Sequence, residues 1–362
     1  MKNISFKILM FIITGVIFLT SVSDTISKER KGYTPVRMNA GVNNNFLQVN
    51  NINAIFRSDG YFNYDKITFS SGVAGMIWPV AAAQRLTAIF TTGIFVGAKV
   101  NGELRLAASM YNTHFSPGNI PNVGQVPGSS VCSDPRTKAY QVNLNDPSLV
   151  SGGTREKSAG GRTYTIVYDS WASWPVDLGA PFVEVNGVPG YQPSYDGDRP
   201  GIGNSFARPD EVIWSVFMDY TNCTNNQHLA EISLPGGTPP MGVEIQQTSF
   251  AFLAPGLTNM YFVKWKIINK SNDVWDSTFT AIACDPDVGD SNDDAVGCDS
   301  TNNIAFCYNF DNEDTDYGTA PPAVGFKYLQ SPIVYTGDPA DTAKLPYGNL
   351  IGYKALGLSS FN

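Results

Sequence analysis

Leu86-Thr-Ala-Ile-Phe-Thr-Thr-Gly-Ile-Phe-Val-Gly-Ala-Lys-Val-Asn-Gly-Glu-Leu-Arg-Leu-Ala-Ala108 decides the fold class. Ala88, Phe90, Ile94, Val96, Ala98 and Val100 alternate through its first part, and beyond Asn101-Gly102 the alternation resumes at Leu104, Leu106 and Ala108. A period of two lines up apolar side chains on one face of a strand, and Asn-Gly between two such runs accepts the positive φ angles of a type I′ turn. The stretch therefore reads as a β-hairpin.

The same grammar extends in both directions. Residues 163–168, 212–220, 247–253, 260–270, 278–283, 304–310 and 333–335 have strand composition, and clusters of Gly, Pro, Asn and Asp separate them. Asn186-Gly187 offers a second hairpin or tight loop. Only residues 80–89 have the alanine content and length for a helix, and 34 glycines with 23 prolines call for long ordered loops. The expectation is an all-β protein of β-sandwich domains, Ig-like or jelly-roll-like. A composition shift near Pro175 divides an N-terminal β domain, 46–175, from a β-sandwich domain, 176–362. The closing Gly357-Leu-Ser-Ser-Phe-Asn362 reads as a strand cut mid-way, so the second domain is expected to be truncated at its C-terminus.

At the other end, Lys2 and Lys7 precede an apolar run from Ile8 to Leu19, and Ser21 and Ser23 supply the small residues of a cleavage site. The run falls short of the roughly 20 residues a bilayer core demands. Residues 1–23 thus read as a secretory signal peptide, and 24–45 as a polar leader. No later apolar run is long enough to span a membrane. Loss of Lys2 and Lys7 takes the net charge from −8 to −10, which argues against nucleic acid or an anionic membrane as partner. The expected location is secreted or the outer cell surface.

Residues 285–316 hold ten acids and no Lys or Arg, opening with Asp285-Pro-Asp-Val-Gly-Asp-Ser-Asn-Asp-Asp294. Carboxylates at this density repel unless solvated or neutralised, and a hard cation such as Ca²⁺ takes 6–8 oxygen ligands from such a loop. Asp285, Asp287, Asp290 and Asp294 are the candidate ligands, with Asp293 or Asp299 completing the shell. Asp290 stands where an EF-hand has Gly, and Val296 where it has Glu, so no EF-hand is implied. A solvated acidic loop is the competing reading. Tyr195-Asp-Gly-Asp-Arg199, with Asp177 upstream, is a weaker cation candidate.

Five cysteines in an exported chain leave at least one unpaired within the chain. Cys284, Cys298 and Cys307 flank the acidic loop, so Cys284 is expected to pair with Cys298 or Cys307. His114 and His228 are the only histidines, and neither sits in His-Glu-x-x-His or beside a Gly-x-Ser-x-Gly elbow. A glycosidase needs only two carboxylates that the fold brings together, so hydrolysis remains open. Trp171, Trp174, Trp214, Trp265 and Trp275 would stack on sugars if exposed, although alternating strands favour burial of Trp214 and Trp265.

Several stretches taken together resemble the large secreted β-rich proteins of Bacteroidota and related bacteria that often carry a type IX secretion sorting domain. They are Thr91-Thr-Gly-Ile-Phe-Val-Gly-Ala-Lys-Val-Asn-Gly-Glu103, Trp174-Pro-Val-Asp-Leu-Gly-Ala-Pro181, Lys266-Ile-Ile-Asn-Lys270, Asp285-Pro-Asp-Val-Gly-Asp290, Asp293-Asp-Ala-Val-Gly-Cys-Asp299 and Pro321-Pro-Ala-Val-Gly325. The resemblance implies an extracellular, modular β protein and brings no activity or substrate. Cys284 departs from it, because similar proteins carry Ser or another small residue before the Asp-x-Asp. No sorting domain follows here, so the secretion route rests on the resemblance alone.

The leading functional expectation is a non-enzymatic surface protein in which calcium stiffens β domains for adhesion or structural assembly, with surface proteins as partners. A glycan-binding module comes second and a secreted glycoside hydrolase third. N-terminal sequencing of exported protein should begin at Asp24; material starting at Met1 would overturn the signal-peptide reading.

Overall fold

The Asn101-Gly102 turn joins strands Thr91–Val100 and Glu103–Ala108, and its φ angles of 53° and 84° are the two positive values of a type I′ turn. The computed structural model describes residues 42–66, 69, 71–183, 199–202, 208–231, 234–345 and 348–361. The expected signal peptide, most of the leader, Asn186-Gly187 and Tyr195-Asp-Gly-Asp198 lie outside the described residues. No helix among the described residues is long and apolar enough to cross a membrane.

In chain order the framing strands begin with β1 (Asn44–Leu47), β2 (Asn53–Arg57), β3 (Met76–Ile77), β4 (Thr87–Ile89), β5 (Thr91–Val100) and β6 (Glu103–Ala108). They continue with β7 (Ser116–Pro117), β8 (Tyr140–Asn143), β9 (Ser151–Ala159), β10 (Arg162–Ser170), β11 (Glu211–Met218) and β12 (Val243–Ala251). Last come β13 (Tyr261–Asn269), β14 (Trp275–Asp285), β15 (Asp294–Asp299), β16 (Ile304–Asn309) and β17 (Ala323–Lys327). The chain is nearly all β and its sheets are antiparallel, a sandwich-type fold. β1 starts two residues inside the expected leader.

One layer holds the sheet β1-β2-β3-β4 and the sheet β14-β5-β6, which meet where Phe62 bridges to Phe56 and to Thr92. The other layer is β8-β11-β12-β13, with β7 also on β11. Between the layers, Ile94, Val96, Ala98 and Val100 of β5 pack with Phe217, Val243 and Ile245. Leu47, Ala54 and Phe56 pack with Ile213 and Ala251.

All eight residues of β11 are buried, because alternation gives the strand two apolar faces. Ile213 and Phe217 face the sandwich core, while Val212, Trp214 and Val216 join Tyr140, Val142, Trp174, Leu178 and Ala180 in a third layer. Short 3₁₀ turns at Trp171–Ser173 and Val176–Leu178 lay Trp174 and Leu178 over that outer face. Buried acids hold both ends of the strand. Glu211 accepts from Lys157 Nζ at 2.7 Å, from Gln48 N at 3.2 Å and from the Tyr168 hydroxyl. Just past the other end, Asp219 accepts from Met241 N at 2.6 Å and Val243 N at 2.9 Å.

Two expectations are corrected here. The division near Pro175 does not separate sheets, since β8 pairs with β11 and β5 with β14 across it. Residues 80–89 form no helix. Val80 N donates to Asn51 O, Gly160 N to Val80 O, and Trp78 N to Leu86 O, so backbone bonds a helix would make internally go to loop residues distant in the chain or across the segment, and 87–89 becomes β4. Tertiary hydrogen bonding overrides alanine propensity.

Two glycines of β5 separate close packing from mere composition. A Cβ on Gly93 would lie 1.8 Å from Ser109 O, whereas one on Gly97 would meet nothing nearer than Leu106 Cδ1 at 3.6 Å. Gly93→Ala is expected to destabilise by about 1–3 kcal/mol through overpacking. Gly97→Ala should stay within about 0.5 kcal/mol. Urea midpoints of the two variants check the contrast.

Candidate functional site

β14 delivers the first acids. Its last residue, Asp285, pairs with Thr91 of β5, Phe90 N donates to Asp285 O at 2.8 Å, and the Tyr111 hydroxyl donates to its Oδ2. The chain then turns away at Gly289, whose φ of 77° suits glycine and whose N–H bonds to Thr87 O at 2.9 Å. A Cβ there would sit 2.3 Å from Asp314 Oδ1. Gly289 thus lets Asp314 close on the loop from 25 residues downstream.

Asp314 organises the turn. Its Oδ2 accepts from Asp290 N at 2.8 Å, and its Oδ1 accepts from Asp316 N at 2.8 Å and from Tyr317 N. Asp290 Oδ1 takes Asn292 N at 3.1 Å and Asn292 Nδ2 at 2.6 Å, while Oδ2 takes Thr315 Oγ1 at 3.3 Å. Asp294 Oδ2 takes Val288 N at 2.9 Å, and Phe310 N donates to Asp293 O at 2.7 Å. The Oδ1 atoms of Asp293 and Asp294 are buried and have no hydrogen-bond partner among the described residues.

Charge is crowded at the centre. Burial, with Asp285, Asp294 and Asp290 adding repulsion, pushes the Asp287 carboxyl up to about 8. Burial raises Asp285 to about 6, and burial followed by the Asp293 and Asp314 charges raises Asp294 to about 6. Asp290 goes the other way, held below the usual carboxylate range by hydrogen bonds from Asn292. None of these carboxylates joins an ion pair among the described residues. A cation would relieve the repulsion, and an all-oxygen set matches Ca²⁺ rather than zinc.

The structure brings Asp285, Asp287, Asp290, Asp293 and Asp294 around one turn, and among the described residues no three of them converge on a common ion position as they stand. Asp299 does not join them. It ends β15 at the far side of the β15–β16 hairpin and caps its own turn, accepting from Thr301 N at 2.9 Å and Asn302 Nδ2 at 2.7 Å. Asp314 was missing from the sequence-derived shell, because nothing local links it to a loop so far upstream.

The cysteine expectation is overturned. Cys132 and Cys223 form the disulfide, with Cα atoms 6.0 Å apart and 91 residues between them, while Cys284, Cys298 and Cys307 are free thiols. The three are unbonded and sit on three different strands. Cys284 is in β14, against Thr92 Oγ1 at 3.5 Å, whereas Cys307 is buried in β16 of another sheet and donates to Pro286 O at 3.8 Å. Cys298 is exposed on β15. Burial pushes the Cys307 thiol up to about 12.

Trp171, Trp174, Trp214, Trp265 and Trp275 are buried or half-buried, as is the sixth tryptophan, Trp78. The indole N–H groups of Trp171, Trp174, Trp265 and Trp275 donate to Asn143 O, Pro181 O, Gln247 Oε1 and Met241 O. A shallow recess of about 410 Å³ lined by Phe46, Arg162, Thr163, Tyr164 and Thr165 contains no acid. No protein-family model, curated protein or solved structure matches the chain.

Non-reducing peptide mapping should recover Cys132 joined to Cys223 and label Cys298 readily. Cys132→Ser is expected to cost about 2–5 kcal/mol, the usual loss for a native disulfide. A free Cys223 in the native protein would contradict the pairing.

Proposed function

We propose that this chain is an extracellular, non-enzymatic structural or adhesive β protein, and that Ca²⁺ taken up by the Asp285–Asp294 turn stiffens the junction between β14 and β15. The observation that carries this reading is Asp287, half-buried among Asp285, Asp290 and Asp294 with no basic residue in 285–316. A buried carboxylate whose proton is held up to about 8 competes poorly for solvent and gains most from a cation. The buried, unpartnered Oδ1 atoms of Asp293 and Asp294 supply further oxygens. Small side-chain rotations on a loop whose backbone is already tied to Thr87, Asp314 and Phe310 would complete a shell with water.

The location belongs to the same proposal. The N-terminal sequence supports export, and the resemblance to secreted Bacteroidota proteins supports the outer surface. The tryptophans lend the glycan-binding alternative no support, because their faces pack on the core, the N–H groups of Trp171, Trp174, Trp265 and Trp275 are spent internally and that of Trp214 is buried. Partners of this reading are other surface proteins.

Melting of the mature protein in EDTA and in millimolar calcium tests it. Ligand that binds only the folded state adds about 2.7 kcal/mol at a hundredfold excess over Kd, which raises Tm. Asp287→Asn should raise Tm in EDTA, by removing a carboxylate that must take up a proton to be buried, while shrinking the calcium shift. Asp299→Ala should leave the calcium shift intact. No shift in wild type and no heat of binding by calorimetry would leave a solvated acidic turn as the correct description.

A further inference from the structure

β6 is an edge strand, paired only with β5 in its sheet, and an open edge offers unpaired N–H and C=O groups. On its outer side those groups belong to Leu104, Leu106 and Ala108, and those of Leu106 and Ala108 are covered. Leu106 O accepts from Thr238 Oγ1 at 3.1 Å and faces His228 Nδ1 at 2.8 Å, and Leu106 N donates to Thr238 Oγ1 at 3.3 Å. Ala108 N donates to His114 Nδ1 at 3.3 Å, and Ala108 O accepts from His114 N at 2.9 Å. Residues 221–231 and 234–242 form the strap that carries His228 and Thr238 over this edge. Arg105 Nη1 adds a bond to Pro240 O at 2.9 Å.

The two buried imidazoles stack, with centroids 4.4 Å apart and planes 13° from parallel. Their protonation is dictated by their neighbours. His114 Nδ1 accepts from a main-chain N–H while Nε2 faces Leu229 O at 3.2 Å, so His114 is the neutral ring with hydrogen on Nε2. His228 faces carbonyl oxygens with both nitrogens, Leu106 O and Asp219 O at 2.8 Å each, and makes both bonds only with hydrogen on both. The buried Asp219 carboxyl lies 4.0 Å from Nε2.

We propose that His114 and His228 are an acid-sensitive cap on the outer edge of β6, holding the strap closed while His114 is neutral and releasing the edge when His114 takes up a proton. Protonation sets an N–H on Nδ1 against the Ala108 N–H and puts a positive charge against the stacked His228 ring. Burial, then the His228 charge, lowers His114 to about 4. A lowered histidine stabilises the fold above its unfolded value near 6.5, and that contribution is lost as pH falls toward 4. Asp219, raised to about 6 by burial, has the opposite sign and tightens the fold over the same range.

The other charged groups nearby have partners of their own. Arg105 bonds Pro240 O, Lys66 bonds Tyr111 O, Asp59 pairs with Arg57, and Glu231 accepts from Asn112. Tyr220, raised by burial, keeps its proton throughout this range.

Hydrogen exchange at the Leu106 and Ala108 amides, corrected for intrinsic pH dependence, tests the cap in wild type and in His114→Gln. The Asp219 contribution is common to both, so their difference reads His114 alone. Opening in wild type should grow at least about tenfold more than in the variant between pH 6.5 and 4, one pKa unit being tenfold. Equal pH dependence in the two proteins would overturn the proposal. Should the variant not fold, ring NMR of wild type decides, because the chain has only two histidines. One ring should stay neutral below pH 5 and protonate together with loss of Ala108 protection. Both rings protonated at pH 5 with that protection intact would sink it.

Discussion

The sandwich depends on burying β11 on both faces. Its six apolar residues carry side chains both to the core shared with β5 and to the layer under Trp174, so displacing the strand would open two cores together. Large buried side chains contribute about 1.5–3 kcal/mol each, and Trp214 and Phe217 lie on opposite faces of this one strand. The acids at its ends are the complement of that burial. Glu211 is held by Lys157, Gln48 and Tyr168, and Asp219 by two main-chain N–H groups, so each charge is satisfied by a different element. Hydrophobic packing sets the position of the strand, and these polar anchors set its register.

From that frame follow the two polar assemblies. Asp219 leads directly into the strap, whose His228 stacks on His114 over the edge of β6, and its main-chain partners Met241 and Val243 lead into β12. On the opposite border of the sheet, β14 runs eleven residues against β5 and ends with Asp285 at the turn where the acids gather. Gly289 lets Asp314 approach, and the resulting enclosure raises Asp287. Desolvation and like charge act together there, whereas in the strap every ring nitrogen has a main-chain partner. The first arrangement is short of positive charge; the second sets a main-chain atom against each ring nitrogen.

Much of the strand pattern was legible because it depends on local periodicity. The hairpin at Asn101-Gly102 forms with the φ angles its residues favour, and residues 163–168, 212–218, 261–269, 278–283, 304–309 and 333–335 are strands. Where local preference and long-range bonding disagreed, the long-range term won, as at residues 80–89. The candidate site was legible in part. Acid density marked Asp285, Asp287, Asp290, Asp293 and Asp294, but Asp299 looks equivalent in sequence and points to its own turn. The Cys132–Cys223 pair and the His114–His228 stack left no local trace, since their members lie 91 and 114 residues apart.

The sequence by itself determined the β class, the turn chemistry, the absence of positive charge in 285–316 and the residue types available to each strand. Those properties follow from neighbours along the chain, where side-chain period and backbone preference act. Tertiary structure decided which strands share a sheet across residue 175, which cysteines meet, how Asp314 joins the acidic turn and why two dispersed histidines cover one edge. Each of these depends on which apolar faces bury against one another, and only the packed chain fixes that choice.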